Sequence, residues 1–315
     1  GYADYAEEQT FGDYTSVRVL GAGQFGEAHL VKKGKSDKLQ VLKLIKADSM
    51  EARNTAHKEI GKPSRIIPLP LTRLLLVVAL AKIPKCDYLL EIQEFFEAQE
   101  GLCLVLNFCA GGNLAEFIAE KRVVGADDAS RIALQLALGL QMLHKNNIIH
   151  RDIKPDNLLF TDEERSTIQI GDFGLARSTN EEGYYYQTFG FRPYLAPELT
   201  FTKMSPASDM WALGLVLVGM ITGELAEDRY KKGQWVLAAL PHNEIKEFVR
   251  EVAKAHPLGE ILVALLNPDH KQRATADFVV EKLLLRPLPR RRLPHRLLPR
   301  RPLPRRLLPH RLLLR

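Results

Sequence analysis

Residues 148–160 read IIHRDIKPDNLLF. Two apolar residues, Ile148 and Ile149, lead in, and Leu158, Leu159 and Phe160 lead out, so His150–Asn157 is expected to be a short polar loop between buried anchors. The loop concentrates a carboxylate (Asp152), two cations (Arg151 and Lys154) and an amide (Asn157). A carboxylate can accept a proton, a cation can balance phosphate charge, and an amide oxygen suits a hard metal ion. Together they suit phosphoryl transfer. A charged loop is also what an ordinary solvated surface produces, so the rest of the chain has to decide.

Working back towards the N-terminus, residues 127–145 (DDASRIALQLALGLQMLHK) place Ile132, Leu136, Leu140 and Leu143 at helical spacing behind an aspartate N-cap. This predicts a core helix that delivers the chain to His150. Gly111–Leu114 leads into another helix, and residues 87–108 predict two strands around an acidic-glycine turn. Residues 14–46 (YTSVRVLGAGQFGEAHLVKKGKSDKLQVLKLIK) predict three strands at Val17–Leu20, Ala28–Lys32 and Gln40–Ile45, forming an antiparallel meander. Gly21, Gly23 and Gly26 sit in its first turn as G-x-G-x-x-G, a spacing that lets backbone approach phosphate oxygens where a Cβ would intrude. A strand follows this turn rather than a helix, which argues against a dinucleotide fold. Lys43 lies inside an apolar strand, where a buried ammonium needs an anionic partner. Glu59, on a helix-compatible stretch at 48–60, is the expected counter-ion, although position alone fits an exposed helical carboxylate equally well. Beyond the loop, strand-like Thr167–Ile170 leads to Asp172-Phe173-Gly174.

In this order these segments resemble the protein kinase family, serine/threonine class: H-R-D-x-x-x-x-N at 150–157, D-F-G at 172–174, A-P-E at 196–198, D-x-W-x-x-G at 209–214 and a late arginine, Arg273. The GG-x-L at 111–114 slightly resembles NimA-related kinases. The resemblance implies an α+β bilobal fold, with a small antiparallel sheet plus one regulatory helix, and a mainly helical second lobe. It implies ATP and Mg²⁺ as cofactors and a protein substrate. By residue it implies that Asp152 orients the substrate hydroxyl, while Lys154 and Lys43 meet phosphate charge. Asn157 and Asp172 are then the metal ligands. Gly21, Ala22, Gly23, Gly26, Lys43, Glu59, Leu106, Asn107, Cys109 and Leu159 surround the nucleotide, with Leu106 as gatekeeper and Asn107–Cys109 as hinge. Ala28 stands where the pattern has valine, a smaller lid over a purine. Asp209 is implied to tether the catalytic loop, Arg273 to pair with Glu198, and Ile92 to take a position in the regulatory spine. Thr188, with Tyr184–Tyr186 nearby, is a candidate phosphorylation site for which Arg151 is the receiver; a plain exposed threonine fits as well.

Besides Ala28, the chain departs from the family in three places. Residues 61–84 carry Gly61 and Pro63 where the helix bearing Glu59 should continue, so Pro63 cannot supply the usual packed side chain. Two readings stay open: an insertion, or sequence that the gene does not encode. Phe191 replaces the usual threonine of G-T-P, and together with the broken helix after Glu59 it motivates an alternative function, a pseudokinase acting as scaffold or allosteric partner. The segment 283–315 contains only Leu, Pro, Arg and His. All four have codons beginning with C, so a C-rich repeat read in one frame yields it; the other reading is a basic arm for nucleic acid or acidic membrane.

The expected organisation is a lead-in at 1–13, a kinase domain at 14–282 divided near 108, and the tail at 283–315. The formal charge is +6, but the tail holds eleven arginines and no acid, so residues 1–282 carry a net −5. No specific nucleic-acid partner is therefore expected of the domain. No stretch has the length and apolarity of a transmembrane helix, and no signal peptide is expected. Cys86, Cys103 and Cys109 form no C-x-x-C pair or disulfide framework, which suits the cytoplasm, with the nucleus as alternative.

Overall fold

The computed structural model describes residues 9–23, 26–46, 80, 82–99, 101–178, 192–200, 204–232, 237–254 and 256–285. Glu59, Pro63, Tyr184–Tyr186, Thr188, Phe191 and nearly all of 61–84 and the tail lie outside these residues.

The N-terminal part is a six-stranded antiparallel sheet ordered β1-β2-β3-β4-β6-β5. Its strands are β1 (Thr10–Phe11), β2 (Tyr14–Gly23), β3 (Gly26–Lys33), β4 (Leu39–Lys46), β5 (Ile92–Ala98) and β6 (Gly101–Asn107). The alternation of β4 decides what each face does. Leu42 and Leu44 bury themselves with Phe11, Tyr14, Val31, Cys103 and Val105 in a small core. Lys43 points to the opposite face, directly across from Ala28 on β3 and Leu104 on β6. Val41 pairs with Leu30 and Leu106, two residues along the same face. One side of the sheet is thus sealed, and the other carries the nucleotide-site candidates.

The expected loose lead-in needs correction at its end. Phe11 is 1% exposed, meets His29 edge-on at 4.9 Å and pairs with Tyr14. A two-residue strand is too short to show any alternation in sequence.

The C-terminal part is helical: α1 (Leu114–Lys121), α2 (Ala126–Lys145), α3 (Pro206–Thr222), α4 (Ala226–Lys231), α5 (His242–Ala253), α6 (Gly259–Leu265) and α7 (Ala276–Leu284). Two short ribbons lie within it, β7 (Ile148–Ile149) with β10 (Arg177–Ser178), and β8 (Leu158–Phe160) with β9 (Ile168–Ile170). The predicted stripe of α2 is buried at Ile132, Leu136, Leu140 and Leu143, each contributing about 1.5–3 kcal/mol. Its N-cap is Gly125, not an aspartate, and no side chain caps it. Asp127 and Asp128 instead sit in the first turn, where carboxylates complement the helix dipole, and Asp128 pairs with Arg131 at 3.0 Å.

Helix α3 is the centre of this half, with every residue from Ser208 to Met220 buried. Pro206 starts it at a position where no backbone donor is needed, and Gly223 ends it in the left-handed region, φ 74°. At the far end, Leu283 of α7 is 2% exposed and packs into the main core. The expected boundary at 283 therefore falls within a packed helix.

Candidate active site

The loop after β7 is held from beneath by one carboxylate. Asp209, on the first turn of α3, accepts hydrogen bonds from the backbone N–H of His150 and of Arg151, both at 2.9 Å, and contacts His144 Nε2 at 2.9 Å. Burial pushes the Asp209 carboxyl up, but the hydrogen bond and charge of His144, with His150 and Arg151, outweigh it and hold its pKa below the ordinary value. This tether matters because Arg151 adopts φ 72°, a left-handed conformation unfavourable for a residue with a side chain.

His150 is fully buried and acts as a spacer. Its Nε2 lies 2.8 Å from the Gly171 carbonyl, which can only accept, and its Nδ1 accepts from the Asp152 N–H at 3.3 Å. Both bonds are satisfied by one neutral tautomer with the proton on Nε2. The ring also meets Phe173 edge-on at 5.3 Å, so the loop and the D-F-G segment are fixed to each other.

Four of the expected catalytic and metal residues fall around this spacer. Asp152 Oδ2 accepts from Asn157 Nδ2 at 2.8 Å and pairs with Lys154 Nζ at 3.0 Å. Asn157 Nδ2 also reaches the Asp152 carbonyl at 2.7 Å, which closes the loop on itself. Its own carbonyl accepts from Gly171 N–H at 2.8 Å, one residue before Asp172. Asp172 stands at φ 53° and accepts from Gly174 N–H at 3.2 Å and from Lys43 Nζ. Burial raises its pKa, yet the Lys43 ammonium more than reverses this and the carboxyl titrates below its ordinary value. The expected Lys43–Glu59 pair concerns a residue outside those described; the partner seen for Lys43 is Asp172.

The donor set fits a hard divalent cation. Asp172 supplies a carboxylate, and Asn157 leaves its amide oxygen uncommitted because its nitrogen makes both side-chain hydrogen bonds. Among the described residues no group of three or more His, Cys, Asp or Glu side chains could hold a metal. An ion here would take its remaining ligands from water and phosphate, as Mg²⁺ prefers.

The nucleotide-side candidates line the facing edge. Gly21, Ala22 and Gly23 end β2 opposite Ala28, Glu27 and Gly26 on β3. Gly26 has φ 134°, and a Cβ there would strike the backbone of Leu44, so this glycine is obligatory. A Cβ at Gly21 would meet nothing within 4 Å. Leu106 and Asn107 end β6, and Cys109 follows with its thiol pushed up to about 11 by burial. Leu159 lies between buried Leu158 and Phe160 and bridges to Asn113, which places it beside the chain leaving the hinge. Ile92 lines the same groove as Phe173.

Farther out, Arg273 grips Glu198 with both nitrogens, at 2.7 and 2.8 Å, over the face of Trp211 at 5.0 Å. Sequence reasoning did not find His144, whose role depends on the last turn of α2 reaching the start of α3. Nor did it single out Arg165, which no motif marks.

Two carboxylates, an amide and two ammonium groups gathered in this way are the set of groups that phosphoryl transfer uses. The sequence model of the protein kinase domain matches residues 14–285, and the chain belongs to that family. It is 34% identical over 233 residues to a calcium and calcium/calmodulin-dependent serine/threonine-protein kinase of Oryza sativa subsp. japonica, covering 67% of this chain and 44% of that protein. It is 33% identical over 217 residues to the serine/threonine-protein kinase ATG1b of Arabidopsis thaliana, covering 68% and 28% respectively. Ribosomal protein S6 kinase 2 alpha of Xenopus laevis is 26% identical over 282 residues, covering 85% of this chain and 36% of that kinase. The chain thus spans less than half the length of these relatives. Among the described residues no helix is long and apolar enough to cross a membrane.

Proposed function

We propose that this chain transfers the terminal phosphoryl group of ATP to a serine or threonine hydroxyl of a protein substrate, with Mg²⁺ as metal. The observation that carries the reading is the convergence of Asp152, Asn157, Lys154, Asp172 and Lys43 through direct bonds around buried His150. Asp152 has its Oδ2 engaged by Asn157 and Lys154, which leaves Oδ1 to orient the incoming hydroxyl and receive its proton. Lys154 stands beside the same carboxylate, placed to meet the charge of the transferred group. Lys43 and Asp172, drawn together, would reopen to share the phosphates and the metal. Asn157 and Asp172 would hold the metal, whose chemistry is to neutralise phosphate charge. Leu106, Asn107, Cys109, Ala28 and Leu159 would enclose the base, with Gly21–Gly26 over the phosphates.

The kinase names of the relatives support the serine/threonine class. Cys86, Cys103 and Cys109, none of them in a disulfide, support a cytoplasmic site of action, with the nucleus as alternative. Transfer of radiolabelled phosphate to a generic protein substrate tests the function. Asp152→Asn keeps the shape of the loop and removes the proton acceptor, so it should reduce transfer by about 10²-fold or more. Equal incorporation by both proteins would overturn the assignment.

A further inference from the structure

Like Arg151 and Asp172, Arg165 sits at a left-handed position, φ 55°, but neither a motif nor the proposed chemistry uses it. It lies in the turn between β8 and β9, and that turn is built with unusual firmness. Asp162 accepts from Ser166 N–H at 3.0 Å and from the hydroxyls of Ser166 and Thr161 at 2.9 and 2.8 Å. The Arg165 N–H bonds the Asp162 carbonyl at 3.0 Å. From behind, α2 clamps the same turn: Arg131 and Gln135 both donate to the Ser166 carbonyl, at 2.7 and 3.1 Å, and Gln135 Oε1 accepts from Ile168 N–H at 2.8 Å.

So braced, Arg165 reaches forward. Its Nε donates to the Gly111 carbonyl at 2.9 Å, and its other nitrogen meets Glu120 on α1 at 2.6 Å. Its guanidinium lies over the Phe117 ring at 5.3 Å, and Phe117 packs edge-on against Phe160 at 5.2 Å. Gly111 is two residues beyond Cys109, at the exit of the hinge. There the hinge exit is laced to β8: Gly111 N–H to Phe160 carbonyl at 3.1 Å, and Phe160 N–H to Gly112 carbonyl at 2.8 Å. A side chain at Gly111 would press on the Asp162 backbone and on Phe160, so the two segments already touch. Leu159 sits in the middle of the laced strand.

We infer that Arg165 is a positioning residue for the nucleotide base, which sets the separation between the hinge (Asn107–Cys109) and Leu159. One rigid fork ties the hinge exit, α1 and the β8–β9 turn together. An arginine is needed because a single ammonium cannot serve the carbonyl and the carboxylate while lying flat on an aromatic ring. The inference rests on the assignment of Leu159 and the hinge to the base.

The test compares steady-state kinetics of the full chain with those of Arg165→Ala, Arg165→Lys, Glu120→Ala and Leu159→Ala, alongside melting curves. Arg165→Ala should raise the KM for ATP about five- to tenfold, the scale of one ordinary hydrogen bond and the low end for a charged donor that acts on the base only indirectly. Its kcat and its KM for the protein substrate should stay within about twofold of wild type. Arg165→Lys should fall between, and it carries the test if the alanine variant does not fold. Glu120→Ala, which leaves the Gly111 bond in place and releases the fork only from α1, should raise the KM for ATP by less than Arg165→Ala does. A KM for ATP unchanged in both Arg165 variants, with Leu159→Ala raising it, would overturn the inference and leave the base site standing. Unchanged KM in all three would overturn the base site itself. Equal losses in kcat and both KM values would mark Arg165 as a folding residue only and would also overturn the inference.

Discussion

The Glu198–Arg273 pair gives the sharpest test of how this fold is held together. Both side chains are essentially inaccessible, at 1% and 0% exposure, and the guanidinium also donates to the Ala207 and Asn267 carbonyls at 2.8 and 2.9 Å. Substituting Arg273→Met keeps the bulk and leaves the Glu198 carboxylate buried without its partner, a loss of about 3–5 kcal/mol. A domain of this size loses about 2–4 °C per kcal/mol, so the melting midpoint should fall by roughly 10 °C. Glu198→Met should cost a similar amount, since it strands the guanidinium. The double variant removes both charges, and its cost should be well below the sum of the two. What remains reflects the two carbonyls that lose a donor, about 1–3 kcal/mol each. Urea unfolding followed by far-ultraviolet circular dichroism on all four proteins yields the coupling, expected at about 2 kcal/mol or more. Additive losses, or single losses below about 1 kcal/mol, would refute the claim that this pair is a buried, mutually dependent unit.

Acid should weaken the anchoring of the catalytic loop. The Asp209 carboxyl is held below its ordinary value of 3.8, so its contribution to stability is fully present above that pH and disappears as pH falls through the lower folded-state value. Asp209→Asn should therefore lower stability near neutrality and flatten the acid limb, measured by urea midpoints between about pH 2 and 6; an unchanged acid limb would contradict this. Gly26→Ala should destabilise the domain by about 1–3 kcal/mol, because φ 134° excludes a side chain and the added Cβ meets Leu44, whereas Gly21→Ala should be close to neutral in the nucleotide-free protein. Cys109, with a thiol at about 11, should alkylate some 10²-fold more slowly at pH 7.5 than a free cysteine, and its rate should keep climbing past pH 9 when followed by peptide mass spectrometry.

The loop residues were legible because their chemistry constrains their identity and spacing together: Asp152, Asn157 and Asp172 can be read without a fold. The strands of the sheet were legible through alternation, and α2 through its stripe. Phe11 was not, because a two-residue strand carries no period. Gly125 was not, because two aspartates next to it look like better caps and serve the helix dipole instead. His144 and Arg165 gain their roles from segments brought together across 65 and 54 positions, and neither distance leaves a local trace. Glu59, the expected counter-ion of Lys43, lies outside the described residues; the acid that the described structure places on Lys43 is Asp172, 129 residues away.

The attachment of the catalytic loop to α3 has a kinetic consequence. The amides of His150 and Arg151 end on a carboxylate carried by the helix that is buried on every side, so they cannot open without disturbing the main core. Their hydrogen exchange should follow global unfolding rather than local fluctuation, while the amides of exposed Gly21 and Ala22 at the end of β2 exchange far faster. Under the proposed chemistry, an input that turns the protein on or off would leave Asp152 where it is and act through the sheet that carries Lys43.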